Sequence, residues 1–338
     1  MKATIYEGNK TFTVIDKEIE QPAQGEVRIK VAYSGVCGTD VHIYHGMMDK
    51  RVAMPQTIGH EMSGTIDAVG EGVEGYDVGE KVVVRPLDDR KVKASDKGFN
   101  HICEELKFIG IDSPGSMQQY WNVPSFVLHK LKAETDLKLA ALIEPLSVAT
   151  HDVRRSGLVK GETAVVLGGG PIGLLVAMVA KEVGAQVIIS EVNPKRIAKA
   201  KELGFDAVNP IELDLVEYVK SKTENRRADV VFEVAGVQPA LDIMCEVAGI
   251  RGRILMVAIH GEKKPVDLFK FFWKELSLIG ARVYEKEDYE KAIELITLNE
   301  LPFSQMITDV QPLTNIQQVF ENIDNNPDGL KVLMDCQL

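Results

Sequence analysis

The stretch from Cys37 to Glu61 carries a thiol at Cys37, an imidazole at His60 and a carboxylate at Glu61. That donor set suits zinc better than magnesium or calcium, which prefer all-oxygen ligands. Taken singly each residue is weak evidence, since a lone cysteine is more often a small buried hydrophobe than a ligand. Thr39, Asp40 and His42 add polar groups where an ordinary core strand would alternate, so the stretch reads as a site.

A second constellation lies in the other half of the chain. Gly168, Gly170 and Gly173 form G-x-G-x-x-G, with Pro171 and Ile172 between the last two, directly after the apolar run T-A-V-V-L at 163 to 167. The first glycine permits a tight turn, the second lets a pyrophosphate approach the backbone, and the third lets a helix pack closely on the strand. Free N–H groups at the helix start then bind the anion. The next strand ends in Glu191, 23 residues beyond Gly168, close to the roughly 20-residue interval of a ribose-binding acid. A carboxylate there accepts from the 2′-hydroxyl of NAD and repels the 2′-phosphate of NADP. Arg196 is counted with the cofactor-binding residues, although its charge and that of Lys195 argue the other way on the phosphate. NAD is the expected cofactor.

These residues need two different scaffolds. From residue 1 to about 150 the chain shows strands and turns: E-V-R-I-K-V at 26 to 31 alternates strictly, and S-G-T-I-D-A-V-G at 63 to 70 and E-K-V-V-V at 80 to 84 continue the pattern. No long helical period precedes about 135, and residues 87 to 103 read as a polar surface loop. After Pro145 the character changes. A helix ended by Gly157, the strand at 163 to 167, a helix through Gly184, the strand Q-V-I-I-S, a helix from Pro194 to Leu203, the strand at 229 to 234, a helix from Pro239 and the strand at 253 to 258 follow in order. Such alternation predicts a doubly wound parallel sheet, hence an α/β protein with a β-rich first domain. A further strand near L-S-L-I-G-A precedes the helical D-Y-E-K-A-I-E-L-I. The closing K-V-L-M-D is strand-like and could return to the first domain.

Composition excludes several classes. The chain has 338 residues, 45% hydrophobic and 26% charged, with a formal net charge of -11 spread along its length, which argues against a nucleic-acid partner. No window approaches the roughly 18 to 20 apolar residues of a membrane span, and the N-terminus has no apolar signal core. Cys37, Cys103, Cys245 and Cys336 lie far apart without C-x-x-C pairing, so reduced thiols and a cytoplasmic setting are expected.

With C-G-T-D-V-H, G-H-E, A-L-I-E-P-L-S-V and G-G-G-P-I-G in this order, the chain resembles the zinc-dependent medium-chain alcohol and polyol dehydrogenases from end to end. The resemblance implies a GroES-like catalytic domain over 1–147 and 284–338 and a Rossmann NAD-binding domain over 148–283. Cys37 and His60 match metal ligands and Glu61 the carboxylate beside them. The position after A-L-I is Glu144 where alcohol dehydrogenases carry a cysteine, which is similar to the sorbitol dehydrogenase branch, where this glutamate lies at the metal directly or through water. Thr39 matches a hydroxyl that contacts the substrate oxygen, His42 a residue that passes the proton toward solvent, and Asp40 a carboxylate supporting the ligands. Arg282 matches a substrate-contacting arginine of the polyol branch.

Many relatives hold a structural zinc with four cysteines. Counting back from Cys103, the other three positions here are Asp89, Val92 and Ser95, and one thiol cannot close a tetrahedral site. One catalytic zinc per subunit is therefore expected, with a homodimer or homotetramer formed through the sheet edge near L-S-L-I-G-A. The expected reaction is reversible, NAD-linked oxidation of a secondary alcohol in a polyol, vicinal diol or sugar acid; a threonine or 2,3-butanediol dehydrogenase is the alternative. A zinc-free quinone reductase or a non-catalytic NAD-binding protein would also use this architecture.

Overall fold

The computed structural model describes residues 1–325 and 328–338. The chain divides into two compact units, Met1–Glu144 with Tyr289–Leu338, and Pro145–Asp288.

The first unit opens with a hairpin of β1 (Lys2–Gly8) and β2 (Thr11–Asp16). Asn9 and Lys10 turn it with φ of 50° and 58°, the left-handed pair that matches strand twist. Next come β3 (Glu26–Gly35), α1 (Gly38–Tyr44), β4 (Glu61–Val69), β5 (Lys81–Val84), β6 (Leu87–Asp88), β7 (Lys107–Phe108), β8 (Tyr120–Pro124), β9 (Leu128–Lys130) and α2 (Leu137–Ala140). The alternation read at 26 to 31 is real: Val27, Ile29 and Val31 are fully buried while Lys30 is exposed. Burying each such side chain stabilises by about 1.5–3 kcal/mol. Residues 87 to 103 lie mostly at the surface, as their polarity suggests. They hold β6 and two single-turn 3₁₀ segments at Ala94–Asp96 and Asn100–Ile102, with His101 and Cys103 buried.

The second unit takes in most of α3 (Ile143–Ser156), then β10 (Thr163–Leu167), α4 (Pro171–Val183), β11 (Gln186–Ser190), α5 (Pro194–Glu202), β12 (Asp206–Val208), α6 (Leu215–Lys222), β13 (Ala228–Glu233), α7 (Gln238–Val247), β14 (Ala248–Met256), α8 (Leu268–Lys274), β15 (Ser277–Gly280) and the start of α9 (Lys286–Leu298). Its six strands are parallel in the order β12-β11-β10-β13-β14-β15, the doubly wound arrangement expected. β10 is buried along its whole length, as a central strand covered on both faces must be. Helix limits follow local chemistry. α4 starts with a proline at its first position and ends where Gly184 takes φ 93°, while the Asn193 side chain accepts the N–H groups of Lys195 and Arg196 to start α5.

The chain then returns to the first unit with β16 (Ile307–Pro312), α10 (Ile316–Asn325) and β17 (Lys331–Asp335). β17 pairs antiparallel with β3, Leu333 opposite Gly35, so the strand-like ending does rejoin the first sheet. That sheet runs β16-β17-β3-β4-β5-β9, with β8 also on β3. One pair in it, β16 with β17, is parallel.

Candidate metal centre and dinucleotide loop

Antiparallel pairing of β3 with β4 sets Glu61 opposite Gly35, and this register brings Cys37, just past β3, to His60, just before β4. Cys37 Sγ, a ring nitrogen of His60 and a carboxylate oxygen of Glu61 lie within 4.8 Å of one another. Gly35 is required by this approach, because a Cβ there would stand 2.3 Å from Glu61 Oε2. Cys37 caps the N-terminus of α1, and its N–H donates to Asp40 Oδ2 at 2.9 Å. The other oxygen of Asp40 is 3.5 Å from His60 Nδ1, and neither atom has a hydrogen-bond partner although both are buried. Asp40 thus faces one ring nitrogen and leaves the other for the ligand cluster, the usual support of a metal-bound histidine.

The electrostatics are those of an anionic hole. Burial works against a charged His60, yet Asp40, Cys37 and Glu144 outweigh it and hold the imidazole well above its ordinary value. Burial likewise opposes the ammonium of Lys331, which Glu61, Cys37 and Glu144 nonetheless push upward. Burial raises the Asp40 carboxyl against the pull of His60 and the Cys37 N–H. A thiol, an imidazole and carboxylates that together favour positive charge on every neighbour fit a divalent cation, and the sulfur selects zinc among them. Glu144, buried at the start of α3, belongs to this field but stands outside the 4.8 Å group.

Lys331 was not legible as a site residue. Its Nζ donates to Glu61 Oε1 at 2.8 Å, to Glu61 Oε2 at 2.7 Å and to Val36 O at 3.2 Å. Both oxygens of Glu61 are therefore engaged by a buried cation, which disfavours Glu61 as a strong ligand. Nothing in K-V-L-M-D signals this; the partner is set by the pairing of β17 with β3.

Thr39 and His42 stand three residues apart on α1, hence on one side of it, Thr39 half-buried and His42 exposed. Arg282 belongs to the other unit and is exposed. In the lobe around Cys103, Asp89 takes both terminal nitrogens of the buried Arg85 at 2.9 and 3.1 Å, and the Ser95 hydroxyl donates to Glu104 at 3.4 Å. Among the described residues Cys103 joins no cluster of three metal-ligating side chains. A second such cluster, His151 with Glu285 and Asp288, is already neutralised by Arg154, whose Nε meets Asp288 Oδ1 at 2.7 Å and whose Nη2 meets Glu285.

In the second unit the glycine loop follows Leu167 and opens α4. Gly168 has φ 114°, and a Cβ on Gly173 would lie 1.9 Å from the Gly168 carbonyl oxygen, so helix and loop touch as the motif requires. Pro171 and Ile172 form the first turn, half-buried. Glu191 Oε2 accepts the Gly169 N–H at 2.7 Å, and its Oε1 accepts those of Val192 and Asn193 at 2.7 and 2.9 Å. A carboxylate offers about four acceptor sites; three are used, which leaves room for one further hydroxyl. Arg196 reaches the same loop, its Nη1 3.6 Å from where a Cβ of Gly170 would be.

The chain matches the alcohol dehydrogenase GroES-like domain over residues 23–133 and the zinc-binding dehydrogenase family over residues 171–297. It is 56% identical over 99% of both chains to 2-dehydro-3-deoxy-L-galactonate 5-dehydrogenase of Pseudoalteromonas atlantica, and 34% identical, again over 99% of both, to sorbitol dehydrogenase of Halalkalibacterium halodurans. Among solved structures, 2R,3R-butanediol dehydrogenase from Bacillus subtilis superposes with a TM-score of 0.90 at 30% identity, covering 99% of each chain. With the thiol, imidazole and carboxylates gathered in one unit and the glycine loop built in the other, this chain belongs to the zinc-binding medium-chain alcohol and polyol dehydrogenase family.

Proposed function

We propose that the protein is a zinc-dependent, NAD-linked dehydrogenase that reversibly oxidises a secondary hydroxyl of a sugar acid to the ketone, with the C5 hydroxyl of 2-dehydro-3-deoxy-L-galactonate as its substrate group. The observation that carries this reading is the convergence of Cys37 and His60, with the Glu61 carboxylate beside them, within 4.8 Å in a chain 56% identical to a dehydrogenase of that sugar acid. The diol and threonine alternatives rest on relatives at 34% identity and below.

Cys37 and His60 would hold the zinc, with Glu144 as the remaining protein ligand or the partner of a bound water, because Glu61 is engaged by Lys331. Bound there, the metal supplies a Lewis acid that lowers the pKa of the substrate hydroxyl. Thr39 Oγ1 receives the hydroxyl proton and passes it along α1 toward the exposed His42. Asp40 keeps the His60 ring from turning. The dinucleotide, which the glycine loop and Glu191 would hold, would supply the hydride acceptor, so that alcohol and NAD would yield ketone, NADH and one proton. Glu191 binds a ribose hydroxyl through its remaining acceptor site and disfavours a phosphate there. Arg282 is a candidate for the substrate carboxylate, its charge being the attraction.

One zinc per chain is supported by the lobe in which Asp89 is tied to Arg85. The four cysteines are free, which supports a reducing, cytoplasmic setting, and among the described residues no helix is long and apolar enough to cross a membrane. β15 is an edge strand with Leu278 half exposed, next to α8 with Phe269, Phe272 and Trp273 exposed; covering both by a second copy supports a homodimer or homotetramer. Light scattering showing a monomer at micromolar concentration would reject that.

The deciding experiment is an NAD reduction screen of the zinc-loaded enzyme over sugar acids, polyols, 2,3-butanediol, threonine and ethanol, with metal content measured on the same sample. The highest kcat/KM should fall on the 3-deoxy sugar acid, with zinc near one per chain. A best turnover with ethanol would leave only the family assignment standing.

A further inference from the structure

The carboxyl ends of four neighbouring strands in the second unit are level: Ser190 pairs with Leu167, Leu167 with Glu233, and Glu233 with Met256. Ligands of such sheets bind outside this edge, one mononucleotide half on each side of the point where the strand order reverses. Here that point lies between β10 and β13. On the β11 side the edge carries Glu191. On the β14 side it carries His260, four residues past the end of β14.

His260 is held in an unusual way. Its Nε2 lies 3.1 Å from Oε2 of Glu233, a fully buried carboxylate whose other oxygen accepts the Gly236 N–H at 2.8 Å. The carboxylate can only accept, so in the neutral imidazole the bond places the proton on Nε2 and leaves a lone pair on Nδ1. Nδ1 is buried and has no hydrogen-bond partner. The turn that follows Glu233 is tied to the glycine motif, since a Cβ on Gly168 would stand 3.1 Å from the Ala235 nitrogen. A buried acceptor without a donor, on the unassigned half of the binding edge, calls for a partner that donates.

We propose that His260, oriented by Glu233, accepts a hydrogen bond through Nδ1 from the nicotinamide nucleoside of the dinucleotide. The donor is either a hydroxyl of its ribose or the carboxamide N–H. This rests on the dinucleotide reading above and assigns it a residue that the glycine motif does not contain. In Glu233→Gln the new amide can donate to Nε2, which moves the ring proton to Nδ1 and turns the acceptor into a donor.

The test is equilibrium binding to the zinc-loaded full chain, with NADH, ADP-ribose, ADP and 3-acetylpyridine adenine dinucleotide as probes. For His260→Ala the Kd for NADH should rise about 3- to 10-fold, the range of one net hydrogen bond, while the Kd for ADP stays at the wild-type value; Glu233→Gln should give the same rise where the donor is the carboxamide N–H and a smaller one where it is a ribose hydroxyl, which can also accept from Nδ1–H. An equal rise with ADP-ribose assigns the donor to the ribose. A rise with NADH that vanishes for both ADP-ribose and the acetylpyridine analogue, which lacks the amide nitrogen, assigns it to the carboxamide. Wild-type NADH affinity in His260→Ala, or equal weakening of ADP and NADH, overturns the proposal. Failure of the wild-type protein to bind NADH is a different result and would overturn the dinucleotide reading itself.

Discussion

Replacing Lys331 by Met tests whether the anionic hole of the first unit needs its own cation. The lysine side chain is 5% exposed and its three bonds all end on buried groups, two of them on Glu61. Methionine fills nearly the same volume, so the packing loss is small. What remains is a carboxylate with both oxygens stripped of partners, beside Cys37, Asp40 and Glu144. Breaking a buried ion pair from one side costs about 3–5 kcal/mol. The chain has two tryptophans, Trp121 buried in the first unit and Trp273 exposed in the second. In a Trp273→Phe background, urea unfolding followed by the fluorescence of Trp121 therefore reports the first unit. Lys331→Met should lower its stability by that amount in metal-free protein and by less when zinc is bound, because the divalent ion then compensates the same carboxylates. Adding Glu61→Gln should recover most of the loss, since a pair removed from both sides leaves no unpaired charge. A loss below about 1 kcal/mol, or a double variant no better than the single one, would refute the reasoning.

Cys37→Ser and His60→Ala should remove zinc and turnover while leaving NADH affinity at the wild-type value, as ligands and glycine loop lie in different units; lost turnover with full zinc content would sink the ligand assignment. Glu144→Gln should retain less metal and lower kcat, and full activity would show the residue to be structural only. Glu191→Ala should weaken NAD and narrow the preference over NADP by about 1–3 kcal/mol, the worth of a hydrogen bond to a charged group, as read from kcat/KM for the two cofactors. Asp152 is buried with one oxygen unpartnered, and burial, reinforced by Asp288, lifts its carboxyl well above the usual range. The folded chain then keeps a proton that the unfolded chain loses, so stability falls as pH rises from the unfolded to the folded value. The stability of Asp152→Asn minus that of wild type should therefore grow with pH across that window; a constant difference would mean that Asp152 does not titrate there.

What could be read from the sequence is what local chemistry determines. β10 and its glycine loop were visible because five apolar residues, three glycines and a proline fix strand, turn and helix start within one short segment. Glu191 followed from spacing alone, but its three backbone partners did not, since they depend on how the chain after β11 curls over the glycine loop. The hairpin of β1 and β2 went unread because its turn is Asn-Lys, a weaker signal than Asn-Gly for two left-handed residues. Residues 87 to 103 are mostly exposed, as their polarity suggested, but the bond of Asp89 to the buried Arg85 could not be read from it.

The residues that escaped are joined across long stretches of chain. Lys331 and Glu61 are separated by 270 positions, and Glu233 and His260 by 27. In each pair one member is a charged residue at a strand end, where sequence alone suggests a solvated terminus. Burial reverses that meaning, because an ionisable group without water must find a partner or give up its charge. The first pair shows that Glu61, adjacent to a candidate ligand and of the right chemistry, shares its carboxylate with Lys331, which takes two of its about four acceptor sites. β17 pairs with β3, the strand that leads to Cys37, so shortening the chain before β17 should cost metal affinity even with Cys37, His60 and Glu144 intact. Measured zinc retention in a variant carrying Leu333→Asp, which disrupts the pairing of β17 with β3 at a fully buried position, should fall together with the stability of the first unit; full retention would show that the ligands hold their geometry without that strand.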